Sequence, residues 1–234
     1  MYSRFEDVPA RGGHEDNFWV RATKERTQEA LRAGERAAEP TGDSLALVMV
    51  AGAFLRRSSS IRILDFGGGM GIAYLDLRRS LGPDVRIEHT VVELPRVADV
   101  GRTLFPRDSC VSFASELPSG DFDVVNACGA LQYLDDPFAG LRRLLGYRAP
   151  YVLVTKIPAG ANPRYATAQL NLSGSVVPCW MFNLDELAAV VRQAGYVVLS
   201  RAWSDVSLIR TYRTRGIPRS HRPERMVSLL LTPS

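Results

Sequence analysis

Ile61-Arg62-Ile63-Leu64-Asp65-Phe66-Gly67-Gly68-Gly69-Met70-Gly71 is the stretch that decides the fold. A short apolar run with β-branched Ile61 and Ile63 meets an acid and then a glycine-rich turn. Beyond it, Ile72 to Leu81 reads as a helix, with Ile72, Leu75 and Leu77 apolar among charges. Strand, glycine turn and helix in that order form the nucleotide-binding half of a doubly wound sheet. Glycine is wanted there because the backbone must approach a ligand closely and take torsion angles that a Cβ forbids.

The spacing narrows the ligand. A dinucleotide fingerprint needs G-x-G-x-x-G, and counted from Gly67 its last glycine would fall on Ile72. A phosphate-cradling P-loop fails as well, since no Gly-Lys-Ser/Thr follows. What stands here is Asp65-x-Gly67-x-Gly69-x-Gly71. This resembles motif I of class I S-adenosylmethionine (SAM)-dependent methyltransferases, where the turn passes under the amino-acid part of SAM. The resemblance implies cofactor contacts at Asp65, Gly67, Gly68, Gly69 and Gly71. It also implies a Rossmann-like α/β fold with a seven-stranded, mostly parallel sheet and an antiparallel last strand. The competing reading is a glycine turn with no ligand.

Further blocks follow in the family's order. Val85 to Glu93 reads as a second strand, and Glu93 lies 22 residues beyond Gly71, at a carboxyl end where such sheets bind ligands. A carboxylate there can accept both hydrogen bonds of a ribose diol, and the family's second motif is such an acid, so Glu93 is the expected ribose anchor and Leu94 lies against the adenine. After helix Pro95 to Phe105 and strand Cys110 to Phe113, the family's adenine-edge turn falls on Phe113, Ala114 and Ser115. Phe113 is the stacking candidate and Ser115 the polar contact, although the usual acid-then-small order is changed. Phe122-Asp123-Val124-Val125 opens the fourth strand. By resemblance, Ala127, Cys128 and Gly129 at its tip line the methionine end of SAM, and Gln132 and Tyr133 face the acceptor; helix capping or core packing is their alternative role. Pro137 to Leu145 is a helix with proline in its first turn, and Tyr151 to Thr155 is an apolar fifth strand.

Residues 157–181 read as a substrate loop rich in Gly, Pro and Asn. Gln169 and Trp180 within it resemble residues of a bacterial methyltransferase subgroup with an Ile-Leu-Asp-Phe-Gly-Gly-Gly motif; Trp180 walls the acceptor or plugs the core. A helix from Asn183 or Asp185 to Ala194 ends at Gly195. Tyr196 to Trp203 and Met226 to Thr232 complete the seven strands. The intervening arginines (Arg210, Arg213, Arg215, Arg219, Arg222 and Arg225) read as a solvated loop, with an acidic or phosphorylated acceptor as the alternative.

Residues 1–60 precede this methyltransferase domain of 61–234. Trp19 to Glu39 reads as a polar helix stopped by Pro40, and Asp43 or Ser44 caps an apolar, buried helix from Leu45 to Arg57. By resemblance this segment is a helical lid behind the Gly12-Gly13 joint; a statically packed helix is the alternative. Of the three histidines, His14 in this segment is the candidate general base, while His89 sits within a strand.

Composition sets outer bounds. A chain of 234 residues with 46% hydrophobic and 23% charged residues is ordinary for a soluble globular domain. The net charge of +4, with no long basic run, argues against a nucleic-acid partner. Cys110, Cys128 and Cys179 form no CxxC pair and suit reduced thiols in the cytoplasm, and no metal-ligand spacing appears. Met1 to Ala10 is no signal peptide, and Leu45 to Leu55 is too short to span a bilayer. The expectation is a cytoplasmic enzyme moving a methyl group from SAM, leaving S-adenosylhomocysteine (SAH), to a sugar or natural-product intermediate by in-line displacement. A homodimer is compatible with it. A non-catalytic SAM-binding or partner-activating module is the alternative. A nicotinamide oxidoreductase is opposed by Ile72, and an amino-methylating nucleic-acid enzyme by the missing Asn/Asp-Pro-Pro-aromatic motif.

Overall fold

The computed structural model describes residues 1–34, 44–170, 174–204, 217–223 and 225–234. The expected helix stop at Glu39-Pro40, the Asp43 cap, and Arg210, Arg213 and Arg215 lie outside them. The chain divides into two compact units. The first comprises His14–Ala127 and Ala149–Leu153; the second comprises Met1–Gly13, Cys128–Arg148 and Val154–Ser234.

The first unit begins with helices α1 (Asn17–Ala33) and α2 (Leu45–Leu55). Strand β1 (Ser60–Phe66), helix α3 (Ile72–Leu81), strand β2 (Arg86–Val92), helix α4 (Pro95–Leu104), strand β3 (Val111–Ala114) and strand β4 (Val124–Cys128) follow. The strand order is β3-β2-β1-β4, and every pair is parallel. That is the doubly wound arrangement expected of strands separated by helices. Ile61, Ile63 and Leu64 of β1, Ile87 and Val91 of β2, and Val124 and Val125 of β4 have no exposed surface. Burial on both faces explains the near-continuous apolar run of β4, whereas β2 alternates exposed Arg86 and Glu88 with buried Ile87 and His89. Helix α2, expected to be buried, is apolar all round, yet only Leu47 and Ala51 are buried while Leu45 and Met49 are 48% and 66% exposed. One face packs on α3 and β1, and nothing among the described residues covers the other.

The second unit contains helix α5 (Pro137–Leu145), strand β5 (Tyr151–Gly160) beyond its first residues, strands β6 (Tyr165–Leu170) and β7 (Val176–Asn183), and helix α6 (Leu184–Gln193). Strands β8 (Tyr196–Ser204) and β9 (Met226–Pro233) complete it. Here β7 runs parallel to β5, β6 runs antiparallel to β7, and β9 pairs with β5 and, antiparallel, with β8. The antiparallel last strand matches expectation; the count does not, since nine strands rather than seven are found among the described residues. The difference lies in the expected substrate loop of 157–181. There β5 runs on to Gly160, and Tyr165–Leu170 pairs residue by residue with Val176–Met181. Glycine and proline punctuation masked it: Pro178 inside β7 cannot donate to a ladder and demotes the run on paper. Two antiparallel bridges, Tyr2 to Ala166 and Arg11 to Val176, lay the first residues of the chain along this ribbon.

Caps are chemical. Asp136 Oδ1 accepts from the Phe138 and Ala139 amides at the start of α5, and Asn183 Oδ1 accepts from Asp185 and Glu186 at the start of α6. Cys179 has no exposed surface, and its thiol donates to the Thr167 carbonyl at 3.6 Å within a cluster of Tyr165, Met181, Ile217 and Met226. Among the described residues no helix is long and apolar enough to cross a membrane.

Candidate functional site

Between β1 and α3, Gly67, Gly69 and Gly71 all have positive φ, at 71°, 63° and 87°. That alternation is what a turn built from every second glycine requires. Gly68 is needed for a different reason: a Cβ there would stand 2.3 Å from Asp65 Oδ2. A Cβ on Gly71 would meet the Phe105 ring at 3.0 Å. The turn is thus folded tightly over the end of its own strand.

Asp65 beneath it is 1% exposed. Its Oδ1 accepts from Asn126 Nδ2 at 2.7 Å, and its Oδ2 lies 3.2 Å from His89 Nε2. A carboxylate only accepts, so Nε2 carries the proton. The three residues come from three adjacent strands, and Asp65 stands opposite Asn126 in the β1–β4 register. Neither partner was singled out as a site residue from the sequence. Asn126 did leave a signal, a polar residue inside an apolar strand, which needs a partner when buried.

Glu93 follows β2 directly and faces the turn. Its Oε1 accepts from the Gly69 amide at 3.0 Å and its Oε2 from the Leu94 amide at 2.8 Å. Burial pushes the Glu93 carboxyl above its usual range, against the opposing pull of those amides, and neighbouring Asp65 and Glu15 push the same way as burial. Its own amide donates to the Ala114 carbonyl, which joins the exits of β2 and β3. Leu94 is 43% exposed, Ala114 half-buried and Ser115 exposed. Phe113, expected to stack on an adenine, is instead a core residue: it stacks on Phe105 at 5.9 Å and fills the space left by Gly101.

Helix α1 packs on the same turn. Val20, Met70 and Val97 form one buried cluster, and Thr23 lies within 3.7 Å of where a Gly69 Cβ would be. The start of α1 is tied to α4 by Arg96, whose amide donates to Glu15 Oε1 at 3.0 Å and whose guanidinium donates to the Glu15 carbonyl and Asn17. His14 precedes α1, edge-on to Trp19 at 5.1 Å, and burial lowers its pKa against the upward pull of Asp16.

In the second unit the four acceptor-side candidates come together around the turn of Leu131–Tyr133. The Tyr133 hydroxyl donates to Gln169 Oε1, and Trp180 Nε1 donates to the Leu134 carbonyl at 3.1 Å. Gln132 is 2% exposed; its Nε2 reaches the Lys156 carbonyl at 3.4 Å, and its Oε1 is buried with no hydrogen-bond partner among the described residues. Lys156, overlooked in the sequence, is at φ 55° although not glycine, and its Cβ packs where a Gly129 Cβ would be, 3.8 Å away. Gly129 donates its amide to the Thr155 carbonyl, while Ala127, in the first unit, is fully buried and Cys128 half-buried. Among the described residues no group of three or more His, Cys, Asp or Glu is placed to hold a metal.

No protein-family model matches the chain. Nor does any curated protein match it in sequence. Solved structures do. A Burkholderia thailandensis 1,6-didemethyltoxoflavin N1-methyltransferase, solved with 1,6-didemethyltoxoflavin and SAH, is 16% identical with a TM-score of 0.53, over 97% of this chain and 93% of that one. A magnesium protoporphyrin IX methyltransferase from Synechocystis PCC 6803 with bound SAH is 10% identical with a TM-score of 0.55, over 94% and 100%. A SAM-bound amino pentose methyltransferase of calicheamicin biosynthesis from Micromonospora echinaspora is 16% identical with a TM-score of 0.52, over 89% and 97%. At these identities the likeness is one of fold: the chain has the Rossmann-like α/β architecture, with a mostly parallel sheet, that these methyltransferases have.

Proposed function

We propose that the chain is a SAM-dependent methyltransferase acting on a small molecule, with the first unit holding SAM and the second recognising the acceptor. One observation carries this reading: the glycine turn and the strand-terminal carboxylate are joined, through the Gly69 amide on Glu93. The donor set fits the group. Glu93 is a partly buried carboxylate whose proton affinity is raised by burial, so the two hydroxyls of a ribose diol would satisfy it better than water at a buried edge. Leu94 and Ser115, the residues assigned to the adenine, are exposed. Ala127 is assigned to the methionine end in the same unit, followed directly along the chain by Cys128 and Gly129.

SAM supplies an electrophilic methyl group and a neutral thioether leaving group. The protein's task is to hold the acceptor atom in line with the methyl carbon and to exclude water. Helix α1, packed on Gly69 and Met70, is assigned as the lid over the cofactor. Gln132 presents a buried Oε1 with no partner among the described residues, suited to accept from an acceptor N–H or O–H, since a buried acceptor left unpaired costs about 1–3 kcal/mol. Tyr133 and Gln169 act as a pair, and Trp180 forms a wall. His14, whose pKa is lowered by burial, is the base if the acceptor must lose a proton.

Calorimetry with SAH tests the cofactor assignment. The wild-type chain should bind, and Glu93→Ala should bind more weakly by about 1.5–3 kcal/mol, the range for hydrogen bonds to a charged group. Equal affinity of the two proteins would remove the assignment. SAH formation from SAM across a panel of small-molecule acceptors then separates an enzyme from a binding module.

A further inference from the structure

The second unit carries a cleft of about 460 Å³ that the assignments above use only through Trp180. Three aromatic side chains from distant parts of the chain line it: Phe5 from the N-terminal segment, Phe138 from α5 and Trp180 from β7. Phe5 stacks on Trp180 at 5.8 Å. The Arg164 guanidinium lies over both the Phe138 ring, at 4.7 Å, and the Trp180 ring, at 4.9 Å. Its Nε pairs with Glu186 Oε2 at 3.0 Å. An arginine fixed by two ring faces and a carboxylate on its Nε side has lost its rotamer freedom already, and its terminal N–H groups remain as a rigid fork.

The charges around the cleft do not simply cancel. Arg4 and Glu6 satisfy one another, and Asp136 spends its Oδ1 on capping α5. Arg164 keeps its terminal N–H groups beyond the Glu186 pair, Asp136 keeps its charge and its Oδ2, and Arg142 and Asp135 are both exposed and in no ion pair among the described residues. A purely anionic ligand would have to face Asp135 and Asp136, and a purely cationic one would have to face Arg142 and the terminal N–H groups of Arg164. A ligand with both charges meets both.

We propose that this cleft binds a zwitterion, an amino acid or amino-bearing carboxylic acid with an apolar or aromatic body, and that the acceptor belongs to this class. Its carboxylate sits on Arg164 and Arg142, its ammonium on Asp135, and its body between Phe5 and Phe138. The second clause rests on the methyltransferase reading; the binding does not. Trp180 links the two, since it lines the cleft and also anchors to Leu134 beside Gln132 and Tyr133.

The test titrates the full chain with L-phenylalanine, 3-phenylpropionate and 2-phenylethylamine, which share a body and differ in charge. L-phenylalanine should bind roughly tenfold or more tighter than either single-charge analogue, about 1.4 kcal/mol. Arg164→Gln should weaken phenylalanine and phenylpropionate by a similar factor and leave phenylethylamine alone; Asp135→Asn should do the reverse. Arg142→Gln, at an exposed position, should reproduce the Arg164→Gln pattern in milder form. Equal binding of the three probes, no binding of any, or indifference of the pattern to all three substitutions overturns the proposal. SAH titrated into the same samples separates the two readings. SAH bound without probe discrimination defeats the cleft alone, whereas discrimination without SAH binding defeats its link to an acceptor.

Discussion

Gly68 and Asp65 show how little freedom the turn leaves to a side chain. Gly68→Ala forces a Cβ to within 2.3 Å of the Asp65 carboxylate, and overpacking of that kind costs on the order of 1–3 kcal/mol. Gly71→Ala adds a left-handed backbone that alanine resists, for a similar loss. Urea unfolding of both variants should show lower midpoints with unchanged slope. Asp65→Ala is expected to cost the fold as well as the cofactor, because it strands the buried His89 Nε2 and Asn126 Nδ2, at about 1–3 kcal/mol for each stranded donor. Glu93 makes a pH prediction. Its folded-state pKa is raised, so the folded chain holds this proton more tightly than the unfolded one, and stability falls as pH rises from the ordinary carboxylate range through the raised value. Glu93→Gln should remove that fall, giving the variant its largest relative gain above the raised value. A bound ribose stabilises the ionised form, so SAH should bind more weakly as pH falls through the same window and should release a proton, measurable by calorimetry in buffers of different ionisation enthalpy. The glycines and Glu93 were legible because their chemistry is local and their spacing fixed. The partners of Asp65 were not, since register across three strands is invisible along the chain.

Helix α1 was legible as a helix but not as a partner. It carries few apolar residues, and Val20 alone among them is buried, against Met70 and Val97. Val20→Ala removes two methyl groups, about 1.6 kcal/mol at ~0.8 kcal/mol each. Hydrogen exchange should therefore speed up across His14 to Ala33 and stay unchanged in β1 and β4. Uniform acceleration through the first unit would mean that α1 is part of its core rather than a cover. The opposite failure occurred in 157–181, where turn residues hid two strands. Gly160, Asn162 and Pro163 mark one corner, and their density suggested a loop throughout. Pairing between β6 and β7 sets Ala166 opposite Trp180 and Thr167 opposite Cys179, a relation that no single-strand pattern contains.

For the molecule as a whole, ligand linkage gives the broadest check. SAH at a hundredfold excess over its dissociation constant should add about 2.7 kcal/mol, which for a chain of this size raises the melting temperature by roughly 5–11 °C at about 2–4 °C per kcal/mol. An unmoved transition would speak against the cofactor assignment. The architecture was readable because its βαβ order forces parallel pairing in the first unit. The aromatic cleft of the second unit was not readable, since Phe5, Phe138, Arg164 and Trp180 meet only in three dimensions.

Cys179 of β7, sealed behind Thr167 of β6, has its thiol pKa pushed up by burial alone, whereas Cys110 and Cys128 keep part of their surface. Only a thiolate is alkylated readily. A maleimide should therefore load the native chain at two sulfurs, and the third should become reactive only as the ribbon opens. The protein thus carries its own timer for that event, readable by mass spectrometry without any engineered label.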